Sequence, residues 1–201
     1  PLEGVDALWP AYQNFTCGMR NDDVWCWAAG SLNGAVYTKF ETPLEQEDNN
    51  TAYQIFLNED TPLSGITALA TGANNACAIT SDSQVLCWGT DTFLGTLVPG
   101  DTMSDCGTGN NTCNPYPTAV LTGPGGSPVS DATAIGIAQK HACILRTGGT
   151  VWCWGREGFG TGVAGWEDSS LKQYHPTEIE GFPMPAVSIH VADQELCAVL
   201  E

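Results

Sequence analysis

The side chains with most chemistry to offer in this chain are its nine cysteines, and their spacing decides which chemistry that is. No Cys-x-x-Cys occurs, and the spacings do not suit zinc. Cys17/Cys26, Cys77/Cys87 and Cys143/Cys153 instead bracket short segments with turn residues at their centres. In the stretch from His141 to Gly155, HACILRTGGTVWCWG, the cysteines are symmetric about Gly148. Arg146 and Thr150 then flank a turn, Thr147-Gly148-Gly149, of a kind that favours glycine at positive φ. Counting back from the closing pair places Cys143 opposite Cys153 in a non-hydrogen-bonded pair, where Cβ atoms approach closely enough to bridge. Ser81-Asp82-Ser83 serves the same purpose for Cys77 and Cys87, and the two-residue turn Asn21-Asp22 serves it for Cys17 and Cys26. Cys106 and Cys113 bracket the polar loop GTGNNT as a fourth pair. Cys197 is left over, either unpaired or available for an intermolecular bond.

So many paired thiols belong in an oxidising compartment, and an extracellular or cell-surface location is expected. Sequons at Asn14, Asn49 and Asn110 fit that setting as candidate N-glycosylation sites. The chain begins at Pro1, as a mature or excised segment would, and no basic stretch leads into an apolar signal region. No apolar run approaches the about 18 residues of a membrane span, so membrane insertion is not expected. The formal charge of −17, from 23 acidic against six basic side chains, repels phosphate backbones, so nucleic acid is not an expected partner.

Other reactive constellations are weaker. Gly160-Thr-Gly162-Val-Ala-Gly165 matches a dinucleotide fingerprint, but Trp166-Glu-Asp-Ser-Ser and Pro176 do not continue the helix that would present its N-terminus to pyrophosphate. His141, His175 and His190 are far apart and lack metal-ligand spacing, and His141 reads as satisfying a turn hydrogen bond between strands. Glu41, Glu45, Glu47 and Asp48 lack the order and glycine of a calcium loop and read as solvated charge. There is no Gly-x-Ser-x-Gly elbow. No catalytic residue, cofactor or metal is therefore assigned. Of seven tryptophans, Trp25, Trp27, Trp88, Trp152 and Trp154 fall in predicted strands and Trp9 near one, which leaves Trp166 as the exposed candidate for stacking on a sugar.

The elements that must position these cysteines form an internal repeat. Aligned on the first cysteine of each pair, the copies are VDALWPAYQNFTCGMRNDDVWCWAAG, ITALATGANNACAITSDSQVLCWGT and ATAIGIAQKHACILRTGGTVWCWGR, followed by the fragment AVSIHVADQELCAVLE. The period is about 60 residues, stretched by inserted loops. Units run from about 1 to 63, 64 to 129 and 130 to 185, with an incomplete unit from 186 to 201. Alternation puts Val24, Val85 and Val151 on the face of the second cysteines. Trp25, Leu86 and Trp152 share the other face with Trp27, Trp88 and Trp154, so these strands are apolar on both sides. Such a strand belongs in a sheet stacked between two others, as in a propeller blade. Residues 38 to 63, whose middle fits a short helix, and residues 99 to 128 read as surface insertions.

His-x-Cys, a turn, Val-Trp-Cys-Trp-Gly and a glycine-rich return resemble the regulator-of-chromosome-condensation repeat, most closely at His141, Cys143, Gly149, Val151, Trp152, Cys153, Trp154 and Gly155 and on through Gly158 and Gly160. The second unit keeps Gly72, Cys77, Val85, Cys87, Trp88 and Gly89, with Asn75 in place of the histidine; Phe15 and Glu195 stand there in the other units. The resemblance implies an all-β chain: part of a β-propeller, commonly seven-bladed, with about three and a quarter repeats of four-stranded blades and two loop insertions. Its disulfide-bearing branch, in secreted bacterial repeat proteins and Crinkly-type receptor ectodomains, is the nearer likeness, and no active site carries over from it. The leading expectation is a non-enzymatic extracellular structural or surface-assembly module. Further repeats of the same polypeptide or neighbouring subunits would cover its ends. A ligand-binding ectodomain for peptide or glycan ranks second, and a secreted enzyme or its accessory domain third.

Overall fold

The computed structural model describes residues 3–11, 15–28, 52–58, 60–73, 75–89, 104–105, 112–138, 141–156, 172–192 and 195–201. All regular structure among them is β. The first sheet holds β1 (Ala7–Pro10), β2 (Phe15–Arg20), β3 (Asp23–Ala28) and β4 (Tyr53–Gln54) in that order. The second runs β5 (Ile66–Thr71), β6 (Asn75–Thr80), β7 (Val85–Gly89), then β9 (Thr112–Ala119) and β8 (Ser104–Asp105). The third is β10 (Ala132–Ile137), β11 (His141–Arg146), β12 (Val151–Arg156) and β13 (Lys172–Glu178). The last pairs β14 (Ala186–Val191) with β15 (Leu196–Leu200). These are propeller blades, three built out and one represented by its first two strands.

Local chemistry sets each hairpin. Asn21 and Asp22 both take positive φ, 51° and 67°, as the two-residue turn between twisted strands requires, and both residue types tolerate it. Gly148 and Gly149 do so at 96° and 83° in the third blade, where Arg146 N–H donates to the Thr150 carbonyl at 2.9 Å. In the second blade Ser83 supplies the positive φ, 59°, and Thr80 N–H donates to Gln84.

The two stretches read as surface insertions each contain a fourth blade strand followed by buried residues. Ile55, just after β4, and Leu63 are buried, and so is Val120, just after β9. The reason is a recurring bracket of backbone bonds around the valine near the start of the third strand. Ile55 N–H donates to the Val24 carbonyl, Leu63 N–H to Ile55 and Val24 N–H to Leu63; Val120, Val85 and Val129 repeat the triangle. These residues have no strong strand pattern of their own. They are drawn inward because the preceding strand would otherwise leave buried backbone groups unpaired. The segment in which a helix was expected, except for residues 52–58 and 60–63, lies outside the described residues.

Candidate interaction surfaces

Blades stack through two unlike faces. The structure bonds Cys17 to Cys26, Cys77 to Cys87 and Cys143 to Cys153, each pair directly opposite in register with Cα atoms 4.1 Å apart. Beside each bridge on the same face lies the strand-three valine: Val24, Val85 or Val151. The face of the next blade meets it with aromatic and small residues. Cys17, Val24 and Cys26 share a cluster with Ala76, Ala78, Leu86 and Trp88 of the second blade. Cys77, Val85 and Cys87 share one with Ala142, Ile144 and Trp154 of the third. The third joint repeats the chemistry, Cys143, Val151 and Cys153 meeting Ala186 and the partly buried Leu196, Ala198 and Leu200.

Tryptophan fits this joint because its partner is small. Trp88 lies opposite Ala76 and Trp154 opposite Ala142, so the indole covers the alanine and fills the gap between sheets. Both are wholly buried. The glycine that follows each one takes positive φ, 113° at Gly89 and 132° at Gly155, where the pairing to the fourth strand slips by a bulge. Backbone bonds also stitch the joints: Ala132 N–H donates to the Ser83 carbonyl, and Ala186 N–H to Gly149.

A bulge in the first strand of the blade is the feature that spacing arguments missed. It falls between Ile66 and Ala68, between Ala132 and Ala134, and between Ala186 and Ser188. Thr67 and Thr133 occupy the extra position, and their hydroxyls donate across the strand to the carbonyls of Ile79 and Leu145, each at 3.2 Å. The repeated Thr-Ala in ITALA and ATAIG was the available signal. Val187 stands in the third bulge without a hydroxyl.

Among the described residues nothing packs over the apolar ends of the stack. On the first blade, Trp25 and Trp27 occupy the face that Leu86 and Trp88 use in the second, yet they are only half-buried, and Leu8 is 58% exposed. On the outer side of β14 and β15, Val187 is 54% and Val199 60% exposed, beside an exposed, unbonded Cys197. Leu8, Val187, Val199 and Met184 are the large apolar side chains found exposed among the described residues. Near the third hairpin Arg146 donates to Asp131 at 2.7 Å and lies over the Trp152 ring, 4.5 Å from its centre, tying a turn rather than offering a free cation.

The other candidates are not drawn together. His141 and His175 are buried on β11 and β13, while His190 is exposed on β14. The His141 position has a backbone role shared by every unit: the carbonyls of Phe15, Asn75, His141 and Glu195 accept from Ala11, Gly72, Ala138 and Ala192, closing the turn into the second strand. Among the described residues no group of three or more His, Cys, Asp and Glu side chains is placed to hold a metal ion. No helix among them is long and apolar enough to cross a membrane. The side chains of Cys106 and Cys113, all three sequon asparagines, the acidic cluster at Glu41 to Asp48, the glycine run from Gly160 to Gly165, and Trp166 lie outside the described residues.

The family model described as the regulator of chromosome condensation (RCC1) repeat matches residues 66–93 and 139–161, the hairpins of the second and third blades. Those two segments are similar to RCC1 repeats. Solved structures share the same architecture. Prp20p from Saccharomyces cerevisiae, solved in a study of its binding to Gsp1p and histones, superposes with a TM-score of 0.68 at 16% identity over 97% of this chain. The same yeast RCC1 bound to Kap60 gives 0.65 at 18% identity over 98%. Human WBSCR16 gives 0.54 at 15% identity over 100%. At these identities the likeness is one of fold. This chain spans 43%, 41% and 59% of those three chains. No curated protein sequence matches it.

Proposed function

We propose that this chain is a non-enzymatic, extracellular interaction module that builds a structural or surface assembly, its end faces covered by further repeats of the same polypeptide or by neighbouring subunits. The carrying observation is the contrast in burial: a joint chemistry used three times inside the stack is presented again, more exposed, at Leu8, Trp25 and Trp27 on one end and at Val199 on the other. Exposed apolar surface of this kind marks a contact site. The disulfides support an oxidising location, and Asn14, Asn49 and Asn110 are proposed glycan acceptors there. Cys106 is proposed to pair with Cys113, and the units are taken to divide near residues 63, 129 and 185.

Sedimentation velocity of the native material, with and without reductant, tests this reading. The expected result is a species heavier than the 21.2 kDa of this chain, shifted toward smaller species by Leu8→Asp or Val199→Asp. A stable monomer of this mass would overturn it. The second reading, a binding module for a peptide or glycan, would then lead, because Trp25 and Trp27 offer half-buried rings on an open face.

A further inference from the structure

Each bridge lies within one hairpin, yet the residues that shield it belong to the next blade. Cys17, Cys26, Cys77 and Cys87 are wholly buried. Leu86 and Trp88 of the second blade enclose Cys17 and Cys26, and Ile144 and Trp154 of the third enclose Cys77 and Cys87. Both joints are internal to the stack. A disulfide exchanges when a thiolate attacks one of its sulfurs, so a sulfur with no path to solvent reacts only after something moves. The hairpin is the wrong element to move, because its strands stay paired in register on both sides of the bridge. The joint is held by side-chain packing and, between the second and third blades, by the backbone bond from Ala132 N–H to the Ser83 carbonyl.

Reduction in turn alters the joint. Bonded sulfurs sit about 2 Å apart, whereas two thiols need van der Waals separation, roughly 1.5 Å more. In a cluster packed to interior density, that extra width must be taken up by the facing sheet.

We propose that Cys17–Cys26 and Cys77–Cys87 are cryptic redox switches of the joints that cover them: each is reduced only when the following blade lifts, and the reduced pair holds that joint loosened. The effector is a small dithiol. One of its thiolates attacks a cysteine sulfur, the S–S bond breaks, and the other cysteine leaves as a thiolate that takes a proton from solvent. The dithiol's second thiolate then attacks its own sulfur in the mixed disulfide and releases the first cysteine. The protein gains two electrons and the dithiol becomes a disulfide. The switch is independent of the assembly reading, since both joints lie within one chain.

The test is the reduction rate of each bridge in the native 201-residue chain under dithiothreitol, with Cys197 first blocked by iodoacetamide. Timed alkylation and peptide mapping resolve the bridges. Trp154→Ala should speed reduction of Cys77–Cys87 about tenfold more than that of Cys143–Cys153, although residue 154 adjoins Cys153 in its own strand. Trp88→Ala should favour Cys17–Cys26 over Cys77–Cys87 by a similar factor. Should alanine unfold the chain, Ile144→Val and Leu86→Val carry the same contrast at about threefold. Loosening is read by amide exchange: on reduction Ala132 should exchange about tenfold faster, while Val120, bonded to Val85 inside the second blade, keeps its protection. Equal acceleration of all bridges, a larger gain in the mutated strand's own hairpin, unchanged exchange at Ala132, or equal loss at Val120 would each overturn the proposal.

Discussion

The third blade and the first carry nearly the same strand, VWCWG and VWCWA, in different surroundings. Trp154 is wholly buried between two sheets, while Trp27, on the matching face, is half-buried with no sheet among the described residues in front of it. Because local sequence is almost held constant, the comparison isolates what the neighbour contributes. Indole burial is a property of the joint, not of the strand.

The largest expected effect comes from cutting the tryptophan on each side of that comparison. Trp154→Ala should cost about 3 to 5 kcal/mol, the range for removing a large aromatic from a packed core. Trp27→Ala, with part of its ring already in solvent, should cost well under half as much. Urea unfolding under non-reducing conditions measures both. Equal losses would mean that the first blade's indole is buried in solution and its face already covered.

Breaking a bridge should come next. Replacing Cys143 and Cys153 together by serine removes a cross-link closing a short loop, worth about 2 to 3 kcal/mol. Cys197→Ser, at the matching register without a bond, should leave the unfolding midpoint of the monomeric chain unchanged. A loss in the second variant would place Cys197 in a contact that the isolated stack does not have.

The smallest contrast lies within one turn. Gly148 and Gly149 both hold positive φ, but a Cβ at Gly148 meets open space, whereas one at Gly149 runs into Pro185 at the entry to β14. Gly149→Ala should therefore cost about 1 kcal/mol more than Gly148→Ala, beyond the backbone strain they share. Thermal unfolding of the two variants resolves the difference. If they lose the same amount, the joint between the third blade and β14 is looser than its backbone bond from Ala186 to Gly149 implies.

Much of the fold was legible because it is written in short-range chemistry. Cysteine symmetry about Gly148, Ser81-Asp82-Ser83 and Asn21-Asp22 fixes hairpin register, since a one-residue slip would turn every side chain to the wrong face. Alternation then separates the valine and disulfide face from the tryptophan face. Less legible were the fourth strands, Tyr53–Gln54 and Thr112–Ala119, and the buried residues that follow them. Ile55, Leu63 and Val120 sit in acidic or Pro-rich surroundings with no period of their own, and only the backbone demand of the adjacent strand places them in the core.

The sequence by itself thus determined the hairpins, their cross-links and the two-faced character of each blade, because those follow from residues within about ten positions of one another. Which faces stay covered was decided only in three dimensions. Trp27 and Trp154, or Val199 and Leu145, cannot be told apart by local pattern. They differ in whether a second sheet lies within van der Waals reach, and that depends on the order in which whole blades stack.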